Sequence, residues 1–190
     1  LLDLDLQFGD VAAALNINAK RTAIDFLPFS NELDTELLED YVISHDSGIK
    51  VLIASSKPYP AGTIDPLCLE NIINILKCSY RYIVVDMPSM LDETMRHLLS
   101  ESDYLLVVTS LHDIPSVRNA RLFCETVREL PGNPKQKLKV IINRVSKHDV
   151  LRTEDVEKST GCPVAAHIPN DTKSILSSIN RGEAATCLLY

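Results

Sequence analysis

The chain lacks a long apolar run and a surplus of basic residues. Its longest apolar stretches, such as residues 83–85 and 105–108, are far too short to cross a bilayer as a helix. It carries 26 acidic and 19 basic residues, for a net charge of −7, and its Lys and Arg residues form no dense cluster. A nucleic-acid binder usually has a basic footprint. We therefore expect neither a membrane-spanning segment nor DNA binding.

The chain also lacks closely spaced cysteines. Its five cysteines form no C-x-x-C pair, and its five histidines share no metal-ligand spacing. Scattered cysteines of this kind are usually buried, reduced thiols, which is typical of a cytoplasmic protein. We favour that interpretation over a zinc site or a disulfide framework.

What the sequence does contain is an alternation of short β-branched runs and longer segments with helical spacing. Its length of 190 residues suits one domain, predicted here as residues 1–190. Strands are predicted at 1–6, 50–54, 82–86, 104–109, 139–143 and 164–168. Helices are predicted at 66–78, 91–101, 115–130, 153–160 and 171–181, with a shorter one at 35–43. The alternation predicts an α/β fold with a mostly parallel sheet flanked by helices on both faces.

Acidic residues follow two of the predicted strands. The first strand ends in Asp3 and Asp5, which strand periodicity places on one side of the chain. The apolar run before Asp86 delivers a third acid in the same way. Carboxylates at the carboxyl ends of parallel strands lie where open α/β sheets bind ligands, and such an acid can hold Mg²⁺ beside a phosphate. Plain capping of a turn is the alternative at each position.

Two later strands end in side chains that suit base recognition. Asn143 follows a strand and carries both a hydrogen-bond donor and an acceptor, which could bind a base edge. The last strand leaves through Pro169 and Asn170, where backbone groups are free to meet a ligand. An ordinary turn after a strand, or a cap on the last helix, would explain the same residues.

These pieces, in this order, resemble the MinD/ParA family of deviant P-loop ATPases, and most closely its CpaE/TadZ branch. The resemblance covers essentially the whole chain. It rests on five runs: DLDLQFGD at 3–10, VDMP at 85–88, SVRNA at 116–120, NRV at 143–145 and IPND at 168–171.

The resemblance implies a role for each matching residue. Asp5 would orient the attacking water or help to hold Mg²⁺, with Asp3 as its companion, and Asp86 would contact Mg²⁺ through water. Asn143 would hydrogen-bond adenine, while Pro169 and Asn170 would shape the pocket. ATP and Mg²⁺ are the implied cofactors. A homodimer formed through the nucleotide face, with a pilus, secretion or polarity protein as partner, is also implied. The implied location is cytoplasmic, and a polar or peripheral membrane position stays open.

One departure from the family is large. The Gly-rich phosphate loop with its lysine, G-x-x-x-x-G-K-[ST], occurs nowhere in these 190 residues. We therefore expect a domain truncated at its N-terminus, without the first strand and the phosphate loop, that does not hydrolyse ATP well by itself. Three functions stay open: a localisation or assembly ATPase of the CpaE/TadZ type, a non-catalytic scaffold of the same fold, and a DNA-partition or septum-site ATPase.

Overall fold

The computed structural model describes residues 1–25, 34–55, 57–60, 63–88, 92–130 and 137–184. The chain divides into two compact units. Unit 1 comprises Leu1–His97 and Lys173–Tyr190, and unit 2 comprises Leu98–Thr172. The prediction of one domain over residues 1–190 stays a prediction, and each unit is described by itself.

Strands and helices alternate strictly from residue 66 onward, as the sequence pattern predicts. In chain order the elements are β1 (Leu2–Asp3), α1 (Val11–Ala14), α2 (Thr35–Glu39), β2 (Ile43–Ser44), β3 (Lys50–Val51), α3 (Pro66–Ser79), β4 (Val85–Asp86), α4 (Glu93–Glu101), β5 (Leu105–Thr109), α5 (Ile114–Glu129), β6 (Leu138–Val145), α6 (Thr153–Thr160), β7 (Val164–Pro169) and α7 (Thr172–Arg181). The helix predicted at 91–101 begins at Glu93, and Leu91 lies outside the described residues. No helix in the described part of the chain is both long and apolar enough to cross a membrane.

The main strands of unit 1 are parallel. β1 pairs with β4, with Leu2 opposite Val85, and Leu2 also forms a parallel bridge to Leu52 on its other side. β1 therefore lies between two neighbours. Val51 and Ile53, both almost fully buried, pack with apolar residues of α1 to form the core beside it.

The helix predicted at 35–43 is wrong in its second half. α2 ends at Glu39, and Ile43 instead pairs antiparallel with Val51 in a hairpin formed by β2 and β3. A tight turn closes this hairpin, because the amide of Gly48 donates to the carbonyl of His45 at 2.9 Å. Pairing with the strand that follows the turn thus prevails over local helical spacing, because the partner strand lies outside the segment whose spacing predicted a helix.

Unit 2 contains a three-stranded parallel sheet with the order β5-β6-β7. Successive side chains of a strand point to opposite faces, so alternate residues share one environment. On one face, Val107, Val140 and Ile142 are buried together with Val127 of α5 and Val156 of α6. This face is the core of unit 2.

The second face of this sheet differs from the prediction. Nearly continuous apolar runs predicted strands covered on both sides, yet Leu106 and Val108 of β5 are 54% and 60% exposed. The core of the unit lies on the opposite face. In unit 1, helix α7 likewise exposes apolar side chains, among them Leu176 at 55%. Contacts within the described part of the chain therefore do not explain why these positions are apolar.

Replacing Ile72 with alanine should destabilise the protein strongly. Ile72 of α3 is fully buried, and removing a buried side chain of this size costs about 2–5 kcal/mol of unfolding free energy. The matched control is Leu67→Ala on the same helix, where Leu67 is 60% exposed and the expected change is within about 0.5 kcal/mol. Urea unfolding measures both, and equal losses would contradict the assigned helix face.

Candidate functional site

Asp3 and Asp86 lie side by side at the ends of neighbouring strands. They are register partners in the parallel pair β1–β4, and the amide of Leu4 donates to the carbonyl of Asp86 at 2.9 Å. Because parallel strands end at the same edge of a sheet, both acids reach one edge of unit 1. Asp3 is buried, with 2% of its surface exposed, whereas Asp86 is exposed to solvent.

Asp5 is placed differently from the strand-periodicity prediction. β1 ends at Asp3, so Asp5 lies in the turn beyond the strand and not on a shared strand face. The amide of Asp5 donates to Asp3 Oδ1 at 3.0 Å, and Asp5 Oδ1 accepts from the amides of Gln7 and Phe8, each at 3.1 Å. Each acid therefore caps the backbone that follows it, as aspartates often do in turns.

Gly9 allows this turn to fold back onto Asp3. A Cβ atom at Gly9 would lie only 2.6 Å from Asp3 Oδ2 and 2.7 Å from the carbonyl oxygen of Asp5. No side chain fits at that distance without movement of its neighbours, so the close approach requires glycine. Gly9 was not among the predicted site residues, although an isolated glycine four residues after Asp5 was the available signal.

Negative charge is concentrated at this edge. Burial raises the pKa of Asp3 to about 6; the hydrogen bond from Asp5 opposes the rise, and the charges of Asp86, Asp5 and Asp10 add to it. Four carboxylates thus influence one another. A bound cation would relieve that repulsion, because opposite charges close to a carboxylate stabilise its ionised form.

These acids suit a magnesium ion that is bound partly by the phosphates of a ligand. They do not suit a metal centre whose ligands all come from the protein. Within the described residues, no group of three or more His, Cys, Asp or Glu side chains is arranged to hold a metal. Mg²⁺ usually binds one or two carboxylates and takes its other ligands from water and substrate phosphates. Asp86 is exposed at the end of its strand, where such an ion could reach it.

Asn143 lies at an irregularity near the carboxyl end of β6. The register of β6 against β7 shifts between Ile142 and Val145, and Arg144 has a positive φ of 60°. The amide of Arg144 donates to Asn143 Oδ1 at 2.9 Å, so the amino group of the Asn143 side chain remains for another partner. A non-glycine residue with positive φ is uncommon and often marks a functional position.

Pro169 and Asn170 lie at the same edge of unit 2 as Asn143. Pro169, the last residue of β7, pairs with Val145, and the amide of Asn170 donates to the carbonyl of Val145 at 2.9 Å. The structure therefore brings the three predicted base-recognition residues to neighbouring strand ends in unit 2. Asp3, Asp5 and Asp86 form the corresponding group in unit 1.

A histidine–aspartate pair lies beyond the ends of β5 and β6. His112 Nδ1 is 2.8 Å from Asp149 Oδ1, and the side chain of Asp149 also accepts from the amide of Ser146 at 3.0 Å. The carboxylate therefore orients the imidazole ring. This pair was not predicted from the sequence, because no local pattern connects two residues that lie so far apart in the chain.

Replacing Asp3 with asparagine should alter how stability depends on pH. Between the ordinary aspartate pKa of about 3.9 and the folded value of about 6, the folded state keeps a proton that the unfolded state releases. The unfolding free energy of the wild type should therefore fall as pH rises through this window. It should remain at the lower value above pH 6. An asparagine side chain cannot ionise, so the variant should gain on the order of 2 kcal/mol relative to wild type between pH 4 and pH 7.

Unfolding experiments at several pH values check this expectation. The exposed Asp103→Asn variant serves as the control, and its stability relative to wild type should change little over the same range. A difference between Asp3→Asn and wild type that stays constant from pH 4 to pH 7 would show that the Asp3 carboxyl is not perturbed.

No family model matches the chain, but similar proteins are found. The chain is 28% identical over 187 residues to a protein of Tupiella akineta assigned as septum site-determining protein MinD, covering 95% of this chain and 58% of that protein. It is 24% identical over 189 residues to the septum site-determining protein MinD of Synechocystis sp., covering 95% and 68%. It spans 58%, 63% and 56% of the lengths of three such MinD relatives.

Two solved structures have a similar fold. A ParA family ATPase from Chlorobium tepidum TLS superposes with a TM-score of 0.88 at 24% identity, covering 98% of this chain and 78% of that one. The MinD cell division protein of Aquifex aeolicus gives a TM-score of 0.71 at 21% identity, covering 96% and 72%. The parallel sheets and flanking helices match these structures, which confirms the predicted fold class. The chain therefore has the α/β fold of the MinD/ParA-type P-loop ATPases.

Proposed function

We propose that this chain supplies the acidic and base-recognition parts of an ATP-binding switch of the MinD/ParA type. The observation that carries the proposal is the parallel pairing that sets Asp3 opposite Asp86 at one strand edge, with the Asp5 turn directly beyond it. The fold and the MinD relatives support it. The specific residue roles come from the sequence resemblance.

The acids of unit 1 have distinct roles in this proposal. Mg²⁺, when bound, would bridge phosphate oxygens and neutralise their charge. Asp86, which is exposed, would hold that ion through water. Asp5 would orient the attacking water, while the buried Asp3 would position Asp5 through the hydrogen bond that it accepts from the Asp5 amide.

The residues of unit 2 would recognise the base of ATP. Because Asn143 Oδ1 is engaged by the Arg144 amide, the Asn143 amino group would donate to an acceptor nitrogen of adenine. Pro169 and Asn170 would shape the pocket through their backbone, which the hydrogen bond from Asn170 to Val145 holds in place.

Phosphate binding requires a segment that these 190 residues do not contain. Their sequence has no Lys-bearing phosphate loop, so we propose that a further strand and loop complete the site in the full-length protein. The exposed apolar residues of β5 and α7 support this idea, because a packed segment would cover such side chains. A degenerate loop in that segment would favour the scaffold function over the ATPase.

Two cellular roles suit a switch of this kind, each through homodimerisation on the nucleotide face. The run at residues 3–10 supports pilus assembly or polar localisation, as in the CpaE/TadZ branch. The names of the relatives support septum placement instead. The acidic balance argues against DNA partition. A deletion strain separates the first two roles, since it would lose pili in one case and misplace its septa in the other.

Replacing Asp5 with asparagine in the full-length protein should abolish Mg²⁺-dependent ATP hydrolysis. Asparagine can still accept the hydrogen bonds from Gln7 and Phe8, so the fold and ATP binding should survive while the charge is lost. The control is Asp34→Asn, because Asp34 caps α2 in the same manner, by accepting from the amide of Leu37 at 2.8 Å. It should hydrolyse ATP as wild type does.

Phosphate release and ATP-binding measurements distinguish the outcomes. Unchanged turnover in Asp5→Asn would remove the catalytic assignment of Asp5. Failure of the wild-type full-length protein to bind ATP, with or without Mg²⁺, would overturn the switch and favour the non-catalytic scaffold.

Replacing Asn143 with aspartate should weaken ATP binding by roughly tenfold or more, the effect of losing one well-placed hydrogen bond. The new carboxylate can still accept from the Arg144 amide, so the irregularity in β6 is kept while the amino donor is lost. The exposed Asn74→Asp on α3 controls for the added charge. Isothermal titration with ATP and GTP measures both variants, and equal affinities in wild type and Asn143→Asp would exclude base recognition by Asn143.

A further inference from the structure

Two buried cysteines and one arginine form a cluster in unit 2. Cys124 of α5 is fully buried, Cys162 is only 3% exposed, and both are free thiols. Arg128 of α5 places Nη2 2.7 Å from Cys162 Sγ, and the same nitrogen donates to the carbonyl of Thr160 at 2.6 Å. None of these residues takes part in the proposed nucleotide chemistry.

The two sulfurs are close neighbours. Cys124 and Arg128 are four residues apart on α5, so they lie on the same face of that helix, one turn from each other. Arg128 contacts Cys162 directly, which places this face against the turn after α6. Burial, together with the charge of the adjacent Cys162 and a side-chain hydrogen bond to it, raises the pKa of Cys124 to about 12.

The turn that carries Cys162 is built around the guanidinium. Gly161 has a φ of +64°, and a Cβ atom there would lie 3.2 Å from Arg128 Nη2, so a larger residue would both strain the backbone and press on the arginine. The amide of Cys162 donates to Thr160 Oγ1 at 3.2 Å. The sulfur, the cation and the turn therefore hold one another in place.

We propose that Cys124 and Cys162 form an oxidisable dithiol, in which a peroxide oxidises Cys162 first and Cys124 then closes a disulfide. A cation beside a sulfur stabilises the thiolate, which is the form that attacks, and Arg128 contacts Cys162. Cys124, deep in the core, remains a thiol until the second step.

The two steps balance. In the first, the Cys162 thiolate attacks a peroxide oxygen, an S–O bond forms, the O–O bond breaks, and hydroxide leaves to take up the proton that Cys162 had released. In the second, Cys124 attacks the Cys162 sulfenic sulfur, the S–S bond forms, and the S–O bond breaks. The departing hydroxide takes the Cys124 proton as water. Two thiols are thus oxidised while one peroxide is reduced to two waters.

Peptide mapping of the folded wild-type chain tests this directly. After treatment with hydrogen peroxide and without reduction, we expect a linked Cys124–Cys162 peptide pair that dithiothreitol separates, while the buried Cys68 stays a thiol. The exposed Cys78 is an internal control for oxidant exposure. Free Cys124 and Cys162 in a sample whose Cys78 is fully oxidised would overturn the proposal.

Variants then test the order of the steps. Cys124→Ser should stop at a Cys162 sulfenic acid that dimedone traps, whereas Cys162→Ser should leave Cys124 unmodified. Arg128→Met removes the cation that contacts the Cys162 sulfur and should slow Cys162 oxidation severalfold. Sulfenic acid on Cys124 in the Cys162→Ser chain would overturn the assigned order. The wild-type mapping needs no substitution and so decides the matter even if a variant fails to fold.

Discussion

The pairing of β1 with β4 fixes the positions of Asp3 and Asp86 at the strand edge of unit 1. β1 is held on both sides by backbone hydrogen bonds, from Leu2 to the carbonyl of Val84 at 2.8 Å and from Asp3 to that of Leu52 at 3.0 Å. With neighbours on both edges, the strand cannot slide without breaking two ladders at once. The backbone pairing therefore determines where Asp3 lies. Asp3 in turn positions Asp5 through the hydrogen bond from the Asp5 amide.

Capping alone does not account for this arrangement of acids. A cap explains why Asp3 and Asp5 accept hydrogen bonds from nearby amides. It does not require that Asp3 be buried, nor that Asp86 lie opposite it, and both features raise the pKa of Asp3 and so oppose folding at neutral pH. Clusters that oppose stability in this way are common at sites where a ligand or cation relieves the strain. A site for a magnesium-bound polyanion is consistent with that cost.

The features that the sequence predicted well are those that depend on local pattern. The apolar runs before Asp86 and Asn143 identified strands whose ends carry these residues, and helix α6 was predicted with its observed bounds. The errors have a different origin. The β2–β3 hairpin depends on a partner strand outside the segment predicted as a helix, and the turn at Asp5 depends on where pairing with β4 stops. The positive φ of Arg144 has no local signal, because arginine rarely adopts it.

Two independent observations bear on the further segment that we propose for the full-length protein. Three apolar side chains are more than half exposed to water: Leu106 and Val108 of β5, and Leu176 of α7. Each would gain roughly 1 kcal/mol or more if it were covered, at about 25 cal/mol for each Å² of apolar surface removed from water. The sequence separately lacks a phosphate loop, which in this type of fold joins a buried strand to a helix. In the full-length protein, packed segments would cover these side chains, and the proposed strand–loop–helix segment would supply the phosphate-binding backbone. The acids of unit 1 would then face phosphates that no part of these 190 residues holds alone.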